Sequence, residues 1–355
     1  MSKAVQTAVV GVTGYAGAEL TRLLVRHPRL KTNPPVFAGR VDAQDQARGG
    51  TPLGEIHPQL RDSHGTGNLR VQSFSWELLE DVGVDVVFLA TPHEMSREAA
   101  PEARKRGFRV IDLSGAWRLE EADNRAVYAF EDEGSAAALA TQAEAVYGMP
   151  ELHRAEIRTA GLVANPGCYA TSVILALKPL LAAGLVDVNH GIICDSKSGV
   201  SGAGKAPTAK THFMHAADNF SAYGAFTHRH TGELLEQLNV PADALTFTPH
   251  LLPIPRGILS TIYVRFREVQ TNAAIEAYYK AFYKGSPMVR LFGTTLPQIQ
   301  HSVRTCYADI GFNIAKDGRR AVIVSCLDNL LKGAAGQAVQ NLNVMQSWGE
   351  AEGLE

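Results

Sequence analysis

The sequence predicts a two-part α/β protein. The first part is an α/β Rossmann-type dinucleotide-binding domain, and the second is an α+β substrate and dimerisation domain with a mixed or antiparallel sheet. Three observations carry this. Strand-like and helix-like runs alternate up to residue 165. A glycine-rich turn, "GVTGYAG", joins the first strand to the first helix. After "NPGCYATS" the texture changes to long strand-like runs with fewer helices. At roughly 100–200 residues per domain, a chain of 355 residues fits two.

In the first part, "TAVVGV" is a short β-rich run, and "GAELTRLLVRH" follows with Leu20, Leu23 and Leu24 at helical spacing, ending before Pro28. "PVFAGR" reads as the second strand. "VDVVFLA" is a continuous apolar run, as expected of a strand buried on both faces. "HEMSREAAPEARKRG" is a helix ending at Gly107, with Pro101 expected to kink or shift it. "FRVIDLSG" and "AGLVAN" are further strands. In the second part, "YATSVILALKPLLAAG" is a helix closed by Gly184. "GIICDSK", "ALTFTPHLLPI", "ILSTIYVRFRE", "VRTCYADIGFNI" and "RRAVIVSCL" read as strands, and "AKDGRR" is a hairpin signal between the last two. "TGELLEQL", "NAAIEAYYKAFYKG" and "GAAGQAVQNLNVMQSW" read as helices.

Composition narrows the function. Hydrophobic residues make up 45% and charged residues 20%, with a formal charge of −2. Lys and Arg are dispersed, and the densest run, "EARKRGFR", reads as a solvated helix end, so nucleic acid is not an expected partner. No run approaches the ~18 apolar residues of a membrane helix, and the N-terminus does not read as a secretory signal. The cysteines at 168, 194, 306 and 326 are scattered without a C-x-x-C pair, which indicates free thiols and a cytoplasmic location.

Gly11, Gly14 and Gly17 form a G-x-x-G-x-x-G turn between a strand and a helix, the setting in which such a turn lets backbone approach a pyrophosphate. The second strand ends in Arg40, with no acid before Asp42. An acid there would suit the ribose hydroxyl of NAD, whereas an arginine can pair with a 2′-phosphate, so NADP is the expected cofactor.

Cys168 stands where Asn-Pro-Gly ends a strand and a helix begins. Helix N-termini carry partial positive charge that favours thiolate over thiol. The flanking Gly167 would permit close approach of a substrate. Cys194, Cys306 and Cys326 lie in strand-like apolar runs and read as structural. A thiolate nucleophile needs an acid/base partner, and His212, His215, His228 and His230 cluster in one stretch. On a strand, His228 and His230 would face one side with Arg229 opposite, whereas a helix starting at His230 could make them diverge. No acidic or cysteine pair at ligand spacing accompanies them, so no metal is expected. "DSKSGVSGAGKAP", with Lys197 and Lys205, suits a phosphate. Arg118 in "LSGAWRL" follows a strand, where open sheets bind ligands.

Taken together, "GVTGYAGAEL", "LSGAWRL", "YGMPEL", "NPGCYATS", "DSKSGVSGAGK", "HRHTGE", "PHLLPIPRGILST" and "DNLLKGAAGQAVQN" occur in an order that resembles the N-acetyl-γ-glutamyl-phosphate reductases, relatives of the aspartate-semialdehyde dehydrogenases. The resemblance spans about residues 8 to 345. It implies reduction of an acyl phosphate by NADPH through a thioester on Cys168, with His230 favoured over His228 as the acid/base. It implies substrate contacts at Arg118, His228, Ser201, Lys205 and Arg256. Cofactor contacts would fall on Gly11, Thr13, Gly14, Tyr15, Ala16, Gly17, Arg40, Pro92, Ser198, Gly199 and Asn329. It also implies an NADP-binding domain of residues 1–165 and 327–355, a catalytic and oligomerisation domain of 166–326, and a homodimer or homotetramer. The chain departs from the family pattern at Ala170, Gly232 and Pro255, at Lys205 in place of arginine, and at Gly39 in place of serine.

Three other readings compete. One extra methylene in the substrate is worth only about 1–3 kcal/mol, so an N-acetyl-α-aminoadipyl phosphate, or a carrier-linked relative of it, remains open. An aspartate-semialdehyde dehydrogenase fits "HRH" and "DNLLKGAAGQ" poorly. A non-catalytic redox sensor would need neither Cys168 nor "HRH".

Overall fold

A computed structural model describes residues 4–61, 66 and 69–355. The chain divides into two compact units, one comprising Met1–Arg118, Phe130–Asn165 and Ala335–Glu355, the other Leu119–Ala129 and Pro166–Ala334. Residues 1–3, where the expected first domain begins, lie outside the described residues. The units differ from the ranges read off the sequence in two places. Leu119–Ala129 belongs to the second unit. The Glu236 carboxylate accepts the backbone N–H of Glu120 (2.8 Å) and Glu121 (3.1 Å) and the Asn124 amide (2.8 Å). Residues 327–334 also stay with the second unit. Asp328 ties them there, accepting from the Arg256 guanidinium and the Arg304 N–H.

The first unit is built on eight strands: β1 (Thr7–Val10), β2 (Val36–Gly39), β3 (Thr51–Pro52), β4 (Arg70–Ser73), β5 (Val86–Leu89), β6 (Arg109–Asp112), β7 (Ala145–Tyr147) and β8 (Leu162–Ala164). Their spatial order is β3-β4-β2-β1-β5-β6-β8-β7, and only β3–β4 is antiparallel. The central six, β4-β2-β1-β5-β6-β8, have the doubly wound order that reverses between β1 and β5, where such sheets bind ligands. Strands β1 and β5 are buried throughout, matching their continuous apolar runs.

Helix α1 (Tyr15–Arg26) buries Leu20, Leu23 and Leu24 together with Gly17 and Thr21, one apolar stripe against the sheet. Helix α2 (His93–Lys105) carries Pro101 inside it, and the chain stays helical through the proline until Gly107, at φ +88°. Helix α3 is Pro150–Thr159. The C-terminal helix, Gly336–Met345, is buried at every position although four of its ten residues are Asn or Gln. Their side-chain N–H groups are paired locally, while the Gln337 and Asn341 side-chain oxygens are buried without a hydrogen-bond partner. Gln337 and Asn341 donate to the Gly148 carbonyl (both 2.8 Å), and Gln340 donates to Glu151 (2.9 Å) and Glu350 (2.8 Å). Buried polar groups require such partners.

The second unit holds a seven-stranded mixed sheet of β9 (Ile192–Gly199), β10 (Ser221–Ala222), β11 (Leu245–Leu252), β12 (Ile258–Arg265), β13 (Val289–Gly293), β14 (Ala308–Ile314) and β15 (Arg320–Leu327), in the order β10-β11-β9-β12-β15-β14-β13. β9–β11 and β13–β14 are parallel, and the other neighbours antiparallel. The expected Asp-Gly hairpin joins β14 to β15, with Gly318 at φ +68°. Cys306 lies just before β14 rather than inside a strand.

Helix α4 (Cys168–Ala182) is the buried spine of this unit. Ser172 meets Ser260 (2.9 Å) and Ser325 (3.1 Å), and Ser260 meets Ser196 (2.7 Å), so small hydroxyls let the helix sit close on three strands. Pro179 has no N–H to offer the Leu175 carbonyl one turn earlier. The Tyr283 hydroxyl donates there instead, and the Tyr279 hydroxyl donates to Ala176 (2.6 Å). Tyr279 lies within helix α6 (Asn272–Phe282) and Tyr283 is its C-cap, so this pairing fixes α6 against α4. Helix α5 is His230–Leu238.

Candidate active site

In the first unit, the glycine turn has the shape that its spacing predicts. Gly11 takes φ +95°, and a Cβ there would overlap the Ala90 carbonyl; a Cβ on Gly17 would overlap that of Gly11. Both glycines are therefore required by close backbone packing. Gly14 differs: it is the N-cap of α1, no side chain caps the helix, and nothing lies within 4 Å of where its Cβ would be. Open space over an uncapped helix N-terminus fits a pyrophosphate. Thr13 and Tyr15 are exposed and Ala16 is half-buried at this rim. His57, a residue the sequence reading did not single out, donates from Nε2 to the Val12 carbonyl (2.8 Å) and pins the turn from behind. Arg40 is exposed immediately past β2, and Pro92 is the exposed N-cap of α2. Arg118 is a buried side chain, not a surface one. Its guanidinium donates to the carbonyls of Asn165 (2.7 Å) and Leu113 (2.9 Å), just past the C-terminal ends of β8 and β6.

In the second unit, Cys168 is the first residue of α4, half-buried, with Gly167 as an N-cap that offers no side chain. The opening Gly167 makes is already filled, because a Cβ there would overlap the His230 ring. Gly167 thus makes room for a histidine rather than for a substrate. On its other side Cys168 is approached by backbone. A Cβ on Gly333, in the π-helical turn Leu331–Ala335, would lie 2.7 Å from the Cys168 Cβ. Such turns recur at functional sites.

His230 opens α5, yet His228 and His230 do not diverge: their rings lie 4.7 Å apart, nearly perpendicular. The His230 N–H donates to Nδ1 of His228 (3.1 Å), which leaves His228 with its proton on Nε2. Burial, with Arg229 adding to it, lowers the His228 pKa to about 4, so this ring is neutral at pH 7. Tyr169 stacks edge-on against both histidines, and its hydroxyl donates to the His250 carbonyl (2.8 Å). Tyr223 reaches Tyr169 (3.3 Å) and the His228 ring. Burial raises both phenols.

Glu233, which the sequence reading passed over, is fully buried one turn along α5. It accepts the Gly167 N–H at 2.9 Å and lies 3.9 Å from Nε2 of His230. Its only sequence signal is the i, i+3 spacing from His230 in "HTGE".

Around the end of β9, the predicted residues form a second cluster. Asn329 accepts from Gly257 N–H (2.8 Å) and donates to the Ser201 hydroxyl (2.9 Å). Ser198 is buried, and the space beside Gly199 is taken by the Arg256 backbone. Arg256 is held at 3.0 Å by Asp328, itself fully buried. Lys205 is exposed. A cavity of about 330 Å³ is lined by Lys210, His215, Asn219, Ser221, Tyr223 and Leu251, and Tyr223 is the wall it shares with the His228 ring. A Cβ on Gly232 would lie 2.9 Å from the Asn124 Cβ, so the departure from proline there accompanies a close packing contact with Leu119–Ala129. The other thiols are buried, with Cys326 pushed up to about 12 and Cys194 also raised by burial. Among the described residues no cluster of three or more His, Cys, Asp or Glu is placed to hold a metal ion, and no helix is long and apolar enough to cross a membrane.

Comparison with known proteins identifies the family of both parts of the chain. Residues 6–160 match the NAD-binding domain of semialdehyde dehydrogenases, and residues 168–329 their dimerisation domain. The N-acetyl-gamma-glutamyl-phosphate reductase of Pelotomaculum thermopropionicum is 43% identical, over 99% of this chain and 98% of that one. Those of Desulfotalea psychrophila (41%) and Methanocaldococcus jannaschii (40%) match over 99% and 98% of this chain and 98% and 97% of theirs. Among solved structures, aspartate semialdehyde dehydrogenase II of Vibrio cholerae, complexed with ASA, has a TM-score of 0.70 at 20% identity, covering 98% of this chain and 99% of that one. The NADP complex of the Candida albicans enzyme has a TM-score of 0.69 at 15% identity, with the same coverage. These two structures share the fold. The full-length relatives decide the family: the chain belongs to the N-acetyl-γ-glutamyl-phosphate reductases and is an oxidoreductase of the semialdehyde dehydrogenase class.

Proposed function

We propose that the chain reduces N-acetyl-γ-glutamyl phosphate to N-acetylglutamate 5-semialdehyde with NADPH, releasing phosphate, as a cytoplasmic step of arginine biosynthesis. The observation that carries the reading is Cys168 at the uncapped start of α4 with the His230 ring against Gly167 beside it. Relatives bearing this reaction's name match along the whole chain.

The Cys168 thiolate attacks the acyl carbon. The C–O bond to phosphate breaks, phosphate leaves with its electron pair, and a thioester remains on Sγ. When held by the residues of the α1 turn, a nicotinamide cofactor would supply the hydride that reduces the acyl carbon to the aldehyde level. His230 donates a proton to the acyl oxygen as charge develops there, and takes it back when the C–S bond breaks and the aldehyde departs. His228 serves as the neutral acceptor that fixes the His230 backbone. Backbone N–H groups of the first turn of α4 stabilise the oxyanion. Arg256, oriented by Asp328, and Ser201 and Lys205 receive phosphate, and Arg118 contributes to anion binding. The 330 Å³ cavity takes the carboxylate end of the substrate against Lys210 and His215. NADP is held by Gly11, Thr13, Gly14, Tyr15, Ala16 and Gly17, with Arg40 on the 2′-phosphate and further contacts from Pro92, Ser198, Gly199 and Asn329. Self-association uses the open face of the second sheet, where Ile193 and Tyr263 are exposed.

The test is phosphate-dependent reduction of NADP by the purified protein with N-acetylglutamate semialdehyde, beside the one-carbon-longer N-acetyl-aminoadipate semialdehyde. A higher kcat/KM for the shorter aldehyde supports the reading. A higher value for the longer one replaces the substrate, and no reduction with either removes the reading.

A further inference from the structure

We infer that Glu233 is a positioning residue that couples Cys168 to His230, holding the start of the nucleophile's helix with one carboxylate oxygen and supporting the imidazolium with the other. The inference rests on the proposed roles of Cys168 and His230. The geometry is specific. Oε2 accepts the N–H of Gly167, the residue immediately before Cys168, at 2.9 Å. Oε1 lies 3.9 Å from Nε2 of His230, an ion-pair distance rather than a hydrogen bond. The His230 ring in turn fills the space beside Gly167. One side chain thus reaches both the residue that precedes Cys168 and the His230 ring, although Cys168 and His230 are sixty-odd residues apart in sequence.

Two features set Glu233 apart from an ordinary helix glutamate. It is fully buried, and an ionised carboxylate is costly to remove from water unless it meets charge-assisted partners. It also stands in the first turn of α5, where the helix N-terminus favours negative charge. The other titratable groups around the His230 ring do not supply an anion at neutral pH. His228 is neutral, Tyr169 and Tyr223 have phenols raised by burial, and Arg229 lies over the Tyr128 ring at 5.9 Å. Cys168 is the remaining one, and its thiolate is the group that an imidazolium stabilises. A negative charge at Glu233 favours the protonated imidazole, and the protonated imidazole favours the thiolate.

Glu233→Gln separates charge from shape, because the Gln carbonyl still accepts the Gly167 N–H. The readout is the pH dependence of iodoacetamide alkylation of Cys168, followed by mass spectrometry of its peptide, together with the pH profile of kcat/KM. In Glu233→Gln the alkylation midpoint is expected to rise by about one pH unit, with kcat reduced about 10–100-fold and the melting temperature within a few degrees of the parent. Glu233→Asp, which keeps the charge, is expected to return the midpoint toward the parent value. An unchanged midpoint in Glu233→Gln overturns the inference, as does a lowered melting temperature with no change in midpoint. So does a Glu233→Asp midpoint that stays with that of Glu233→Gln. Alkylation needs no turnover, so this outcome is distinct from failure of the proposed reaction, which would show as a parent protein inactive on both semialdehydes.

Discussion

The chain builds the same local device twice, once in each unit, and uses it in opposite ways. Helix α1 and helix α4 each begin after a strand, each has glycine as N-cap in extended backbone, and neither has a side-chain cap. At Gly14 the space above the helix is empty, as a phosphate site requires. At Gly167 it is filled: the His230 ring stands where a Cβ would go, Glu233 accepts the N-cap N–H, and Gly333 brings backbone against Cys168. An uncapped helix N-terminus attracts negative charge in both cases. On the proposed function, what surrounds it decides whether that charge is a ligand's phosphate or the protein's own thiolate.

Removing the thiolate should break this pairing most severely. Cys168→Ser replaces a group that ionises readily with a hydroxyl that does not, so kcat for NADP reduction should fall by at least about 10³-fold. The same variant should bind NADPH as the parent does, measured by fluorescence titration, because the α1 turn is untouched. A serine variant with parental kcat would exclude covalent catalysis at this position.

The second largest effect concerns the histidine held neutral beside the filled N-terminus. His228 has its pKa lowered from 6.5 to about 4 by burial. The unfolded chain therefore binds a proton here that the native state refuses. Stability from this group is fully present above about pH 6.5 and is lost as pH falls toward 4, by up to about 3 kcal/mol at about 1.4 kcal/mol per unit. His27, also lowered by burial, acts in the same direction, so the variant comparison isolates His228. Urea unfolding between pH 7 and 4.5 should show a steeper loss for the parent than for His228→Leu. Equal slopes would mean that the His228 pKa is the same in the native and unfolded states, so that the ring can titrate in place.

How much of this could be read beforehand follows from what each residue's neighbours in sequence reveal. Strands β1 and β5 were legible because burial on both faces leaves an unbroken apolar run, and Gly11 and Gly17 because close backbone packing admits no Cβ. Cys168 was legible from its place between a strand and a helix. Glu233 was not, since a glutamate in the first turn of a helix looks the same whether it faces water or a buried histidine. The C-terminal helix is similar. Its helical pattern was legible, but only the fold supplies the Gly148 carbonyl and the Glu151 and Glu350 carboxylates that receive the side-chain N–H groups of Gln337, Asn341 and Gln340. His228 and His230 were expected to share a side on a strand, or to diverge if His230 began a helix. They meet because His228 caps the backbone of a helix that His230 begins. The segment Leu119–Ala129 joins the second unit through Glu236, a long-range tie with no local signature.

The same substitution at the two N-caps sharpens the contrast. Both glycines have negative φ, so alanine is permitted by the backbone at either. Gly167→Ala forces the His230 ring to move, and a displacement of about 1 Å at a reacting group costs about 10²-fold in kcat. NADPH affinity should be unchanged. Gly14→Ala should leave thermal stability within about 0.5 kcal/mol of the parent, since its Cβ meets nothing, and should instead weaken NADPH binding. If Gly14→Ala binds normally and Gly167→Ala turns over normally, the open and filled ends are not functionally different.

The smallest effect tests which anion the open end serves. Arg40 is exposed, follows β2 and has no acid before Asp42. A guanidinium paired with a 2′-phosphate in partial contact with water gains about 1–2 kcal/mol over none, so Arg40→Ala should raise the KM for NADPH about 10-fold. The KM for NADH should hardly change, because NADH presents a hydroxyl at that position. The turnover number should also hold, as Arg40 is far along the cofactor from the reacting carbon. A proportional loss with both cofactors would instead make Arg40 a general contributor to the field over the α1 N-terminus. Cofactor choice would then lie elsewhere along the rim, with Gly39, the departure from serine, the next position to change.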